Sequence, residues 1–309
     1  SSIVNRNVLR ELKRRLKRID IDGILDSGYI EQLIQDTPFS LFPTIGITEK
    51  PDIAAARILE GRVAVLIDGS PIALTVPMFF AEGLQSSEDY FTRFYYASWI
   101  RMIRVLAFLI NIWLPGLFVA VVTWHQQIIP VRLFLSMAAA EANTPFAVGL
   151  AMLLILVAYE VLREAGVRLP KPAGQAISIV GAIIMGDAAI SAGLISAPVL
   201  IILSLTVTAS FVTVIFVEAS SLLRLIFLVA GWCMGLFGIL IATLITGIYL
   251  CSLNSFGLPY FAPFAPLNVQ GLKDVVVRFP LWTLKFRPQG LSRNRRRMGR
   301  DIKPGGKDE

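Results

Sequence analysis

Residues 105–124 read VLAFLINIWLPGLFVAVVTW, 20 positions without a charged side chain. As a helix rising about 1.5 Å per residue, this run reaches about 30 Å, the thickness of a bilayer's hydrocarbon core. It predicts a membrane crossing with a kink at Pro115, because proline leaves a backbone carbonyl without its donor. Just upstream, Tyr90, Phe91, Phe94, Tyr95, Tyr96 and Trp99 lie among Arg93, Arg101 and Arg104. Aromatics and arginines together suit the headgroup layer.

Four more apolar segments follow, at about 146–163, 173–190, 194–217 and 225–253. The segment 173–190 is short, contains Asp187 and is closed by Gly193 and Pro198. The last is long, and Gly231, Gly235, Gly238 and Gly247 would let another helix approach closely. Residues 128–142, interrupted by Pro130, Arg132 and Glu141, read as a helix along the interface.

Composition agrees with a chain that lives largely in lipid. Its mean hydropathy is +0.67, with 55% hydrophobic and only 17% charged residues, against about a quarter charged in soluble proteins. The net charge of +7 is not spread evenly. Residues 1–104 balance 13 Lys/Arg against 13 Asp/Glu, residues 105–272 balance 5 against 5, and residues 273–309 hold 11 against 4. The excess therefore belongs to one basic end, around Arg293, Arg295, Arg296, Arg297 and Arg300. No aromatic platform surrounds these arginines, which argues against nucleic acid. They read as a membrane-lipid anchor on the cytoplasmic side.

The front of the chain has a different grammar. Residues 4–19 place Val4, Val8, Leu12, Leu16 and Ile19 at helical spacing, with Arg6, Arg10, Lys13, Arg14, Lys17 and Arg18 on the other faces. A surface helix packed on its own domain and a membrane-surface helix both fit that pattern. Residues 24–36 predict a second amphipathic helix and residues 52–60 a third. Arg62–Ile67 and Ile72–Val76 flank Asp68-Gly69, which predicts a β-hairpin. The fold class expected is thus an α-helical polytopic membrane domain (99–272), preceded by a small cytoplasmic α/β soluble domain (1–98) and followed by a basic cytoplasmic tail (273–309). The opening Ser1-Ser2-Ile3, with neither Met nor a secretory signal, reads as the C-terminal portion of a longer protein.

Charge constrains topology. Five crossings would put the arginine-flanked front and the basic tail on opposite sides, so one segment is expected not to cross. A re-entrant half-helix at 173–190 would leave the Arg163, Arg168 and Lys171 loop inside and a Glu218/Arg224 loop outside. Such half-helices are tolerated where they are buried in protein or line water.

Catalytic signatures are missing: no GxSxG, Walker A, GxGxxG after a strand, or metal-spaced His/Cys set occurs. No enzyme activity, cofactor or metal is expected. The single histidine, His125, reads as interfacial, and Cys233 and Cys251 lack a CxxC spacing. Ionisable residues within apolar segments say more, because a charge in the bilayer needs water or a partner. Asp187, isolated after Gly186, is the first ion-path candidate. Glu160 is a second, with a local i,i+3 pair to Arg163 as the alternative. Glu218 ends a span, and Thr206, Thr208, Ser210 and Thr213 form a hydroxyl stripe that either lines a pore or bonds its own helix backbone.

Four stretches resemble one family in order along nearly the whole chain. They are TPFSLFPTIGITEKPDIAAARILEGRVAVLIDGSPIALTVPMFF (37–80), SSEDYFTRFYYASWIRMIRVLA (86–107), YEVLREAGVRLPKPAGQAISIVGAIIMGDAAISAGLIS (159–196) and LCSLNSFGLPYFAPFAPL (250–267). Together they resemble the GerA-type spore germination proteins. The resemblance implies the A-type subunit of a nutrient germinant receptor, or a SpoVAF-like relative, in the spore inner membrane. It implies a homo-oligomeric ring acting as a ligand-gated cation channel, with a B-type transporter-like subunit and a C-type lipoprotein as partners. TVTASFVTVIFVEASS (206–221) departs from the Pro-Asn-containing sequence expected after Ser-Phe-Val in that family, and both subtypes stay open. A secondary transporter and a non-conducting scaffold are the competing functions.

Overall fold

A computed structural model describes residues 3–168, 186–284, 286–287, 290–292, 294 and 296. The chain divides into two compact units, residues 1–105 with 247–309, and residues 106–246.

The first unit is built around a three-stranded antiparallel sheet in the order β1 (Gly46–Thr48), β3 (Ala73–Val76), β2 (Val63–Leu66). The β2–β3 hairpin expected from the sequence is present, with Val63 opposite Val76 and Leu66 opposite Ala73. Strand β3 is central and every residue in it is buried. Helix α1 (Arg6–Leu16) starts at Asn5, whose side chain accepts from the Asn7 amide, and buries Val8 and Leu12. Those two side chains pack with Ile30 and Ile34 of α2 (Ser27–Ile34) and with Leu74 and Val76. Of the two readings of α1, the packed surface helix is therefore the one observed. Helix α3 (Pro51–Leu59) has proline in its first turn, where the missing N–H breaks no bond.

Much of the region assigned on charge to the tail belongs to this unit. Val275, Arg278, Leu284 and Leu291 are buried, Val4 pairs with Ser292, and Asn5 Nδ2 donates to Gly290 O. Arg296 is exposed and its backbone bridges to Phe286. Arg293, Arg295 and Arg297 lie outside the described residues.

The second unit is helical. Helix α4 (Phe94–Trp124) enters it, followed by α5 (Val131–Glu141), α6 (Val148–Arg168), α7 (Ala197–Val212) and α8 (Val217–Ser252). Val119, Met152, Leu156, Val199, Leu203 and Leu228 form its core. Among the described residues, two helices are long and apolar enough to cross a membrane, Phe94–Trp124 and Val214–Ser252, the latter counted with the 3₁₀ turn Val214–Phe216. Helix α4 runs through Pro115. Residues 173–185 of the expected re-entrant segment, and Lys171, lie outside the described residues; residues 186–191 are helical.

The glycines of the last segment act in three different ways. A Cβ on Gly231 would sit 2.4 Å from Gly116 O, and one on Gly116 would sit 2.5 Å from Phe227 O, so this pair lets α4 and α8 touch backbone to backbone. Gly235 interrupts α8 with φ 62° and ψ −146°, a conformation open essentially to glycine alone. Gly247, by contrast, has nothing within 4 Å of its would-be Cβ and makes no close contact.

That difference yields a paired prediction. Gly235→Ala strains the backbone and drives a methyl to 2.8 Å from His125 Cε1, and is expected to destabilise by about 1–3 kcal/mol. Gly247→Ala is expected to be neutral or to stabilise by up to about 1 kcal/mol through helix propensity. Thermal unfolding of the two purified variants in one detergent checks this, and equal midpoints would refute it.

Candidate functional site

Polar side chains from three apolar helices meet in the second unit. Helix α4 supplies Asn111, α6 supplies Glu160 and Arg163, and α8 supplies Ser221 and Arg224. Arg224 is 1% exposed and Asn111 is fully buried. The Arg224 guanidinium donates from Nε to Asn111 O at 3.2 Å and from Nη2 to Asn111 Oδ1. Its Nη1 lies 3.6 Å from Glu160 Oε1, an ion pair just outside hydrogen-bond reach. Ser221 donates to the same Oε1 at 2.7 Å, and Arg163, one turn along α6, pairs with Oε2 at 2.6 Å. Asn111 Nδ2 in turn reaches Thr213 Oγ1 at 3.5 Å.

The grouping follows from cost. A guanidinium buried among apolar helices is tolerated only if its charge and N–H groups are met. Here one carboxylate answers two guanidinium groups, and an asparagine fills in as acceptor. Two arginines against one glutamate leave the cluster with an excess positive charge. In that form it ties α4, α6 and α8 together.

The expected site residues separate accordingly. Glu160 makes the i,i+3 pair foreseen as its alternative role, and in addition the pair to Arg224. Glu218 is exposed in the first turn of α8. Asp187 is exposed in the helical stretch 186–191, and among the described residues it forms no ion pair. Thr206 and Ser210 are buried while Thr208 is exposed, so the three do not share one surface. Each hydroxyl donates to its own helix: Thr206 to Ile202 O, Thr208 to Ser204 O, and Ser210 to Val207 O.

One expectation is corrected outright. Glu218 and Arg224 do not lie in an external loop, because α8 begins at Val217 and carries both. Neither glycine nor proline occurs between Thr213 and Ala230, and that lack of a helix stop was the signal available. Asn111, an amide alone in an uncharged span, was the other overlooked sign.

A second buried ionic cluster sits in the first unit at the start of α4. Arg101, fully buried, donates from Nε to Asp89 Oδ2 and from Nη1 to Asp274 Oδ1, both at 2.9 Å. Arg104 forms a fork on Asp89, with Nη1 and Nη2 each 2.8 Å from a carboxylate oxygen. Tyr90 donates to Asp274 Oδ2 at 2.9 Å, and burial raises its phenol out of the titrating range. Arg278 donates to the backbone carbonyls of Asp89 and Thr92. Burial alone would raise the Asp89 carboxyl, but hydrogen bonds from Arg104 and Arg101 prevail and hold it below the usual carboxylate range.

Comparison with known proteins gives a consistent answer. Residues 1–290 match the family model described as Bacillus/Clostridium GerA spore germination protein. Spore germination protein KA of Bacillus subtilis (strain 168) is 46% identical over 305 residues, covering 98% of this chain and 56% of that protein. The uncharacterized membrane protein YfkQ of the same organism is 42% identical, covering 94% and 57% respectively. Spore germination protein GerLA of Bacillus cereus is 39% identical over 295 residues, covering 94% and 59%. The chain thus spans a little over half the length of each of these three relatives. No solved structure matches it. This chain belongs to the GerA family of spore germination proteins.

Proposed function

We propose that the chain is the membrane portion and adjoining domain of an A-type subunit of a nutrient germinant receptor, seated in the spore inner membrane. In this reading several copies assemble into a ligand-gated cation channel, working with a B-type transporter-like subunit and a C-type lipoprotein, with the front and the tail on the cytoplasmic side. The observation that carries it is the family membership together with two apolar helices of spanning length. The outer surface of α8 supports a lipid setting, since Met234, Phe237, Leu240, Leu244 and Ile245 are all exposed. Asp187 remains the preferred ion-path residue, being exposed in the helical unit while Glu160 is engaged by Arg163 and Arg224. In an oligomer an exposed carboxylate at membrane depth needs water or another subunit.

Planar-bilayer recording from the full-length reconstituted protein tests this. Cation currents are expected, with Asp187→Asn lowering single-channel conductance severalfold. Currents of parental size in Asp187→Asn would remove this residue from the path, and no current under any ligand would favour the SpoVAF-like or scaffold reading.

A further inference from the structure

Residues 37–40 form a tight turn, closed by the Ser40 amide donating to Thr37 O at 3.1 Å. Pro38 takes the second position, where its fixed φ is favoured, and Phe39 stands at the tip. The Phe39 side chain is 98% exposed, whereas Phe42, three residues on, is 1% exposed and packs edge-on against Phe80, with ring centres 5.9 Å apart. The turn is braced. Ser40 Oγ accepts from the Phe42 amide, and the Tyr249 hydroxyl accepts from the Leu41 amide at 3.0 Å and donates to Ser40 Oγ at 3.4 Å.

Tyr249 fixes where this tip lies. It belongs to the last turn of α8, three residues before the helix ends at Ser252, or about 4.5 Å along the axis. Leu244, Ile245 and Ile248 just before it are exposed, so the apolar outer surface of α8 continues to the side chain that holds the turn. Leu41 lies at the level of the Tyr249 hydroxyl, and Phe39, two residues away, is within about 7 Å along the chain. That is comparable with the polar layer of a bilayer, about 5–8 Å deep on each side of the hydrocarbon core. A lone exposed phenylalanine is ordinary on a protein surface. Its place on a braced tip beside the end of an apolar helix is what points to lipid.

We propose that the 37–40 turn is a membrane contact separate from the spanning helices, a wedge that sets the Phe39 ring among the headgroups and the tops of the acyl chains. The partner is the lipid surface itself. Because the turn is already ordered by its hydrogen bonds, insertion gains apolar contact with little loss of backbone freedom. The proposal rests on the reading of α8 as a spanning helix and adds to it a contact made by the front of the chain.

Phe39→Trp keeps an aromatic tip and adds one indole to the five tryptophans already present; subtracting the parent's emission isolates it. The full chain is reconstituted into phosphatidylcholine vesicles, plain or brominated near the headgroup end of the acyl chains, with iodide as aqueous quencher on both faces. Brominated lipid is expected to quench the added indole severalfold more strongly than iodide does. Quenching by iodide alone would place the ring in water, and quenching by neither would place it under protein, whether a second copy or another part of the chain; both results overturn the proposal. Leu244→Trp, on the exposed face of α8, is the companion, and since both side chains are exposed neither substitution disturbs packing. Quenching by brominated lipid at Leu244→Trp but not at Phe39→Trp defeats the wedge alone, whereas none at either position defeats the spanning reading of α8 and the wedge with it.

Discussion

Asp89→Asn is expected to destabilise the first unit by about 3–5 kcal/mol, the usual consequence of breaking a buried ion pair from one side. Two arginines depend on this carboxylate, and one of them, Arg101, has no exposed surface. Asparagine keeps the shape and one acceptor but not the charge. At about 2–4 °C per kcal/mol for a unit of this size, the thermal midpoint should fall by roughly 6–20 °C. Tryptophan fluorescence from Trp99 and Trp282 follows the transition, and a shift under 2 °C, below the smallest per-kcal/mol displacement of that scale, would show that the cluster contributes little.

The same carboxylate makes a prediction in pH. Its folded pKa lies below the unfolded value, so its contribution is complete above about pH 5 and is lost as pH falls through the folded pKa. The stability gap between parent and Asp89→Asn should therefore be constant near neutrality and close below about pH 4. A gap that widens on acidification would contradict the assignment.

Glu160→Gln is expected to have the second largest effect, about 3 kcal/mol, because it leaves Arg224 buried without a counter-charge. Arg163 is partly exposed and can turn to water, whereas Arg224 cannot. Replacing both partners is the informative comparison: Glu160→Gln with Arg224→Met removes carboxylate and stranded guanidinium together, and most of the lost stability should return. Thermal unfolding of the three variants in one detergent gives the coupling directly. A double variant no more stable than Glu160→Gln alone would mean that the two side chains act separately. This cycle also guards the conductance experiment, since a current altered by Glu160→Gln but restored in the double variant reports a helix clasp and not a pore wall.

How far these features could be read in the sequence depended on their range. The β2–β3 hairpin was legible because a β-branched run, Asp68-Gly69 and a second extended run are consecutive. Strand β1 was not, since Gly46–Thr48 is too short to show alternation and acquires its role only by pairing with β3. The amphipathic stripe of α1 was visible, yet its choice between protein and membrane surface was made by α2 and β3, which bury Val8 and Leu12. Charge counting placed a tail from Lys273 onward, but Asp274 and Arg278 are partners of residues about 170 to 190 positions earlier. Local rules carry no information about such distant pairing. Arg224 was misread for a related reason: a lone arginine near the edge of an apolar run looks like a flank marker, and only the positions of Asn111 and Glu160 reveal it as interior.

The interruption at Gly235 changes what an apolar run means as a unit of counting. Residues 217–252 form one hydropathy peak, but the left-handed glycine cuts that peak into pieces of 18 and 17 residues, and a Cβ on Gly238 would already lie 2.1 Å from Ala230 O, eight positions back. In an unbroken helix those positions are more than two turns, about 12 Å, apart. One sequence segment thus supplies two rods with different axes. An experiment that follows this run should therefore place labels on both sides of Gly235 rather than at its ends.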